Sequence, residues 1–333
     1  MDRRLAELVE AADLNALLRA VDGLVATRDW DGLVELADAC EDALERGKQL
    51  WPISAHIDYR LALDAPGDYA ADVLTTGDAR FTLGPLTEVA ASTHRWAELA
   101  PHIESPQAAA YVAQERVLRG EDLEAEQDAH PEVIGLPLRL QSFEPTYALA
   151  TFHPSHVEVA EAWDPRAPMG EVDIRSAAVL DEPEIESLLL DLVTPWVSES
   201  NGAARAVVVE GDAIDAASHL TFGSLLLGEL EPAEALQRIA WAAASGGAHG
   251  RRRGAAFGRF MAFYVVATLG DLGWPASPEA VGETAARLRW FWWDEGQPEK
   301  GWILRLAVAD DKRGWAAAIG ATDLLTEDDE TRE

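Results

Sequence analysis

The chain has 333 residues, of which 48% are apolar and twelve are tryptophan, and it carries a formal net charge of -32. This apolar content excludes an intrinsically disordered protein, and the length accommodates two domains of ordinary size. The excess of negative charge opposes binding to nucleic acid, because two polyanions repel each other before they touch.

The sequence also predicts a cytoplasmic protein that does not enter a membrane. Cys40 is the single cysteine, which excludes an intrachain disulfide and a metal site built from cysteines. The first residues form an amphipathic pattern that contains acids, unlike the uninterrupted apolar stretch of a secretory signal. The longest strongly apolar run, 260–270, has about half the length of a bilayer-spanning helix.

The N-terminal part of the chain is predicted to be helical. Apolar side chains recur at spacings of three and four over 14–25 and again over 30–44, so each stretch presents one apolar stripe. Asp29 stands where a cap of the second helix is expected, and further helices are predicted at 85–96 and 105–119. No period returns three times, which favours a helical domain over a repeat array.

Composition indicates where the domains begin and end. Residues 121–137 combine acids with proline and glycine. We interpret them as a linker between a helical domain, 1–120, and an α+β domain, 138–325. The last residues, 326–333, are predicted to be an acidic disordered tail.

The second domain is predicted to mix strands and helices. Short alternating segments between 138 and 182, such as 138–140 and 172–174, predict strands, and 204–210 predicts a compact apolar strand. Helices are predicted at 184–197, 232–244, 255–269 and 278–289. Three β-prone runs that predict a meander follow at 290–293, 302–309 and 315–322. The predicted fold is a predominantly helical α+β fold, with a helical N-terminal half and a mixed domain that ends in a short antiparallel β-meander.

One window differs from the rest of the chain, because 235–270 contains no acid but five arginines. Within it, 246–254 is typical of a flexible, basic loop that precedes an apolar helix. Arginine is unfavourable at a helix N-terminus, which is already positive, so a negative group is expected beside the loop. The candidate anion-binding residues are Gly247, His249, Gly250, Arg251, Arg252, Arg253 and Arg259.

The expected negative group has two interpretations. One is a phosphate or carboxylate of a ligand, held by backbone amides and guanidinium groups of 246–254. The other is a carboxylate of the chain itself or of a partner subunit, which is favoured because the chain contains 59 acidic residues. The glycine spacing matches neither the phosphate-loop signature nor the dinucleotide fingerprint.

Other residue clusters favour structural roles over chemistry. Trp290, Trp292 and Trp293 offer an aromatic wall for a ligand, but an alternating strand points neighbouring side chains to opposite faces, which favours core packing. His153 and His156 form a His-x-x-His pair without a third ligand at a metal-site spacing, so no metal is predicted. No catalytic signature is present, and no cofactor is predicted.

Short motifs near the C-terminus resemble those of a known family. They are Ser245-Gly246-Gly247-Ala248-His249-Gly250, Gly258-Arg259, Trp302 before an apolar strand, and Ala321-Thr322-Asp323. The pattern resembles the C-terminal region of an uncharacterised bacterial protein family of unknown function, over the last quarter of the chain. The resemblance implies no activity.

We therefore expect a non-catalytic cytoplasmic binding or interaction protein with an anion-accepting loop at 246–254. Its partner is expected to be another protein, and the acidity favours a basic one. The acidity has a second explanation, since 24 arginines against three lysines indicate compositional bias. The alternative function is an enzyme or sensor that binds a phosphorylated small molecule at the same loop.

Overall fold

The computed structural model describes residues 2–74, 82–159, 168–296 and 301–324. The chain forms two compact units, which we call the helical unit (1–134 with 150–159) and the mixed unit (135–149 with 160–333). The predicted tail, 326–333, lies outside the described residues.

The helical unit consists mainly of α-helices, which confirms the helical N-terminal half. These are α1 (Arg3–Ala11), α2 (Leu14–Thr27), α3 (Trp30–Glu45), α4 (Trp51–Asp64), α5 (Gly67–Asp72), α6 (Leu86–Thr93), α7 (Trp96–Leu99), α8 (Pro106–Leu118) and α9 (Pro131–Ile134). Two short 3-10 helices span Ala100–His102 and Gln127–Ala129. An antiparallel hairpin pairs β1 (Thr151–Phe152) with β2 (Val157–Glu158).

Local capping explains where several of these helices begin and end. The carboxylate of Asp29 accepts a hydrogen bond from the backbone N–H of Gly32 at 3.1 Å, which confirms the predicted start of α3. Ser105 caps α8 in the same way. Such a side chain satisfies one of the backbone donors that a helix start leaves open. Gly47, with a φ of 82°, lets the chain leave α3 in the left-handed conformation.

The predicted apolar stripes of α2 and α3 meet in one core. The buried members of this core include Leu17, Val21, Leu33, Leu36, Cys40, Ile53, Ile57 and Leu61, the last three from α4. The acidic segment interpreted as a linker contributes to the helical unit as far as Ile134, and both Leu123 and Ile134 are buried.

The mixed unit combines six helices with a six-stranded antiparallel sheet in the described part of the chain. The helices are α10 (Pro183–Asp191), α11 (Thr194–Ser198), α12 (Ala213–Ser218), α13 (Pro232–Ala244), α14 (Ala255–Leu269) and α15 (Pro278–Arg287). The strands are β3 (Gly170–Val172), β4 (Ala203–Glu210), β5 (Leu225–Leu230), β6 (Arg289–Asp294), β7 (Gly301–Asp310) and β8 (Trp315–Leu324). Their order in the sheet is β3-β5-β6-β7-β8-β4.

The predicted meander is confirmed as β6-β7-β8, and the whole fold is α+β. Two predictions about the mixed unit are wrong. The helix predicted at 184–197 is divided into α10 and α11, because Pro195 in the first turn of α11 has no N–H to continue a helix that arrives from α10. The strand predicted at 138–140 does not form, and 135–149 is irregular in the structure.

Both faces of the sheet are covered, which accounts for the run of aromatic residues in β6. Phe291 and Trp293 pack with α12 on one face, in a core that also contains Val207 and Val209. The indole of Trp290, on the other face, donates a hydrogen bond to the carbonyl oxygen of Ala285 at 2.9 Å. A strand buried on both faces carries apolar side chains at successive positions.

A buried ion pair fastens the irregular segment 135–149 to the middle of α14. The guanidinium of Arg259 donates to both carboxylate oxygens of Glu144 at 2.8 and 2.7 Å, and the two side chains are 0% and 1% exposed. Its remaining donors bind the carbonyl oxygens of Pro137 and Arg139, each at 2.9 Å. Glu144 also accepts a hydrogen bond from the hydroxyl of Tyr147. A desolvated charge of this kind is tolerated only when its hydrogen bonds are made.

The helical unit contains a carboxyl group whose ionisation opposes folding. Burial raises the pKa of Asp58 in α4 to about 6, and the nearby charge of Glu41 acts in the same direction. The folded state therefore favours the protonated form. The protonated carboxyl group therefore contributes to the free energy of unfolding below the ordinary carboxyl pKa, and this contribution is lost as the pH rises towards the raised value.

We expect Asp58→Asn to increase the free energy of unfolding by about 1 kcal/mol at about pH 8, and to change it little at about pH 4. Asp38→Asn, an exposed position on α3, is the matched control and should have no effect at either pH. Urea unfolding at the two pH values measures the difference. Equal stability of the two variants at about pH 8 would contradict the expectation.

Candidate functional site

The basic glycine loop, 246–254, connects α13 to α14 in a tightly closed turn. A Cβ atom on Gly246 would overlap the carbonyl oxygen of Gly250, and one on Gly250 would overlap that of Gly246. Gly247 has a φ of 73°, and a Cβ there would overlap the carboxylate of Asp323. The glycines therefore permit close approach of the backbone, which explains them better than the flexibility predicted from the sequence.

Two carboxylates of the chain bind the donors of this loop. Arg251 donates from its backbone N–H and Nε to Glu199 Oε2 at 2.9 and 3.0 Å, and from Nη2 to Oε1 at 3.1 Å. Asp323, which is fully buried at the end of β8, accepts from the backbone N–H of Ala248 at 2.6 Å. It also accepts from the hydroxyl of Ser200 at 3.0 Å. Donors of the loop are thus hydrogen-bonded to carboxylates of the same chain.

Arg253 points away from Arg251 and binds backbone carbonyl oxygens. It donates to Asp191 and Leu192, at 2.9 and 2.7 Å, at the C-terminal end of α10, and to Ala243 at 2.8 Å. The carbonyl end of a helix carries partial negative charge, so a guanidinium is stabilised there. Burial lowers the pKa of Arg253 to about 10, and the group remains charged at neutral pH.

The predicted anion-binding residues therefore do not form one group. Arg251, Arg253 and Arg259 each bind a different set of acceptors, while Arg252 is half-buried and His249 is exposed. That an external anion binds here stays a prediction. Sequence reasoning missed the acceptors themselves, although one of them stands in the Ala-Thr-Asp motif at 321–323.

The predicted aromatic wall lies inside the protein. Trp290, Trp292 and Trp293 are all buried, with exposed fractions of 1%, 7% and 3%. The Cζ atom of Arg238 lies 3.7 Å from the ring centroid of Trp292 and covers its face. The burial of these three tryptophan side chains supports the core-packing interpretation of this strand.

A separate cleft of about 390 Å³ opens in the mixed unit, and sequence reasoning did not identify it. Its aromatic walls come from Tyr264 in α14, Trp274 in the following loop and Trp315 at the start of β8. The ring centroids of Tyr264 and Trp274 lie 5.4 Å apart at 86°, and the ring of Phe260 lies 5.5 Å from each of them. This edge-to-face arrangement holds the aromatic surface in place.

The charged groups of the cleft are mainly acidic. Glu182 and Glu184, at the start of α10, and Asp271, after α14, line it together with one cation, Arg313. The guanidinium of Arg313 lies 3.9 Å from the carboxylate of Asp271 and also reaches the carbonyl oxygen of Gly270. Three carboxylates against one guanidinium, beside aromatic faces, favour a cationic ligand over an anionic one.

No single stretch of sequence reveals this cleft, because its lining comes from four separate parts of the chain. These are 180–185, Val208, 264–274 and 313–315. The part that a sequence pattern displays, the apolar helix α14, contributes the wall of the cleft but not its acidic groups. Only the packing of α14 beside α10 and the sheet edge brings the two together.

The Glu199–Arg251 pair predicts a pH-dependent contribution to stability. Hydrogen bonds from the backbone N–H and the guanidinium of Arg251 hold the pKa of Glu199 below its ordinary value. A lowered carboxyl pKa gives stability that is present above the ordinary carboxyl range and is lost as the pH falls through the lowered value.

We expect Glu199→Gln to lower the free energy of unfolding by up to about 1 kcal/mol at neutral pH, since both side chains are partly exposed. The difference from the wild-type protein should shrink at about pH 3, where the wild-type carboxylate is itself protonated. Glu283→Gln, an exposed position on α15, is the matched control. Urea unfolding at the two pH values measures this difference. A loss in the free energy of unfolding that is as large at about pH 3 as at neutral pH would contradict the role given to Arg251.

Comparison with known proteins places the whole chain in one family. The chain belongs to a family of unknown function, DUF6183, whose sequence model matches residues 15–324. The resemblance to an uncharacterised family is confirmed, and it extends over nearly the full length rather than the last quarter. No curated protein and no solved structure matches the chain.

Among the helices that the structure describes, none is both long enough and apolar enough to cross a membrane.

Proposed function

We propose that this member of the DUF6183 family is a non-catalytic cytosolic binding protein that receives a basic side chain of a partner polypeptide in the cleft of the mixed unit. The observation that carries the proposal is the combination of Glu182, Glu184 and Asp271 with aromatic walls in one cavity. The same composition disfavours a phosphate or a carboxylate as the ligand.

The size and chemistry of the cleft suit a lysine or arginine side chain. Its volume of about 390 Å³ lies in the range of protein sites for small ligands. The aromatic side chains of Tyr264 and Trp274 line the cleft and suit the apolar stem of such a side chain, and the carboxylates supply the charge opposite to its cationic head. The formal charge of -32 on the whole chain adds a long-range attraction that increases the rate of encounter with a basic partner.

The single thiol of the chain is placed where it cannot serve as a catalytic nucleophile. Cys40 is fully buried in the core of the helical unit, and burial raises the pKa of its thiol to about 11. A cysteine acts as a nucleophile through its thiolate, and this environment keeps the group protonated at neutral pH.

The proposal is tested by titrating the full-length chain with a hexa-arginine peptide and following tryptophan fluorescence and binding heat. We expect Glu182→Gln with Glu184→Gln to weaken binding about three- to tenfold, because two attractive charges are lost from the cleft. The matched control removes two exposed acids elsewhere, by Glu104→Gln with Glu283→Gln, and should change the affinity less than twofold.

Equal weakening in the two double variants would show that the peptide senses only the overall charge, and would contradict the proposed site. The loop offers the competing outcome. If inorganic phosphate instead raises the thermal midpoint, and Arg252→Ala with Arg253→Ala abolishes that rise, a phosphorylated ligand at 246–254 replaces the basic partner.

A further inference from the structure

The hairpin of β1 and β2 places three potential metal ligands on one face. In its register Phe152 pairs with Val157 and Thr151 pairs with Glu158, and the backbone N–H of His153 donates to the carbonyl oxygen of His156 at 2.9 Å. Side chains alternate between the two faces of a β-hairpin. His153, His156 and Glu158 therefore share the face opposite to Phe152.

The donor atoms of these three side chains converge. The Nε2 atoms of His153 and His156 lie 3.5 and 3.8 Å from the same oxygen, Oε1 of Glu158. One ligand atom from each residue lies within 4.8 Å of the others. Atoms that share a zinc ion at about 2.0–2.1 Å in tetrahedral geometry are about 3.3 Å apart, so small side-chain rotations close the site.

The arrangement of the two imidazoles is not explained by hydrogen bonding. Their rings are stacked, with centroids 4.4 Å apart and planes 10° from parallel. The Nε2 atom of His153 is buried and makes no hydrogen bond to any described residue, although Glu158 is its neighbour. A buried polar atom of this kind calls for a partner, and a metal ion supplies one for a neutral ring nitrogen.

The hairpin is held rigidly enough to present these ligands. Phe152 is buried, and its ring lies so close to Gly84 that a Cβ atom there would overlap it. The hydroxyl of Tyr59 in α4 donates a hydrogen bond to the carbonyl oxygen of His153 at 2.5 Å. Ligands on an anchored backbone need little reorganisation when an ion binds.

We propose that His153, His156 and Glu158 bind one divalent transition-metal ion of the zinc class. Two imidazoles and one carboxylate form a donor set that such ions accept, with water in the remaining position. The side chains are 36%, 59% and 68% exposed, so the proposed site lies at the surface of the helical unit. The proposal does not rest on the function proposed for the mixed unit.

The sequence pattern concealed the third ligand. A His-x-x-His pair invites a search for ligands at helical or zinc-finger spacings, and none follows. The structure supplies Glu158 through the alternation of a strand, two residues after His156 and on the same face. Spacing along the sequence therefore does not identify Glu158 as a neighbour of the two histidines, whereas the fold of the hairpin does.

The test uses the full-length chain after removal of metal with a chelator, titrated with Co2+ and then with Zn2+. We expect one equivalent of Co2+ to give the visible absorption of a low-coordinate site, and Zn2+ to displace it. His156→Ala and Glu158→Gln should each weaken binding at least about tenfold. Zn2+ should also raise the thermal midpoint of the wild-type protein and not that of the variants.

A natural control lies in the same unit, where His130 and Glu132 form a pair at 3.0 Å that no third donor joins among the described residues. His130→Ala should leave Co2+ binding unchanged. Because His156 is well exposed, its variant should keep the wild-type far-ultraviolet dichroism and its metal-free thermal midpoint. The absence of a one-to-one complex in the wild-type protein, or equal binding by the variants, would overturn the proposal.

Discussion

The mixed unit depends on a charged side chain that is buried away from water. Arg259 stands in the middle of the apolar helix α14, where an uncompensated guanidinium would oppose folding strongly. Glu144 compensates it, and the carbonyl oxygens of 137 and 139 bind the donors that remain. The irregular segment 135–149 forms no strand or helix, and the ion pair holds it to α14 together with the packing of Phe143 against Phe263.

Four of the five arginines in the acid-free window 235–270 also have acceptors or aromatic partners within the mixed unit. They contact Glu199, the end of α10, the ring of Trp292 and Glu144. An acid within the window would compete with these acceptors for its arginines. The motifs that marked the resemblance to a family meet here, since Ala248 and Asp323 bind each other across the loop.

The sequence predicts best where one residue pattern decides a structure locally. The helices α13 and α14 have the predicted bounds, and the strands β6–β8 form the predicted meander, because periodicity and turn residues specify both. The sequence predicts poorly where contacts between residues that are far apart in the chain determine the structure. Helix α4 is buried on several sides and shows no apolar stripe, and the acceptors of the basic loop lie about 50 and 75 residues away in the chain. The cleft arises because elements that are distant in the chain pack together. The shared face of His153, His156 and Glu158 arises from the register of a hairpin. No local residue pattern encodes either of them.

Arg259 and Glu144 stabilise the mixed unit as a pair. A double-mutant cycle with Arg259→Met, Glu144→Gln and the combined variant, followed by urea unfolding, measures this coupling directly. We predict that each single change lowers the free energy of unfolding by about 3–5 kcal/mol, and that the combined change costs clearly less than their sum. Single losses below about 1 kcal/mol that simply add, as expected for the exposed Arg289–Glu229 pair, would contradict the account.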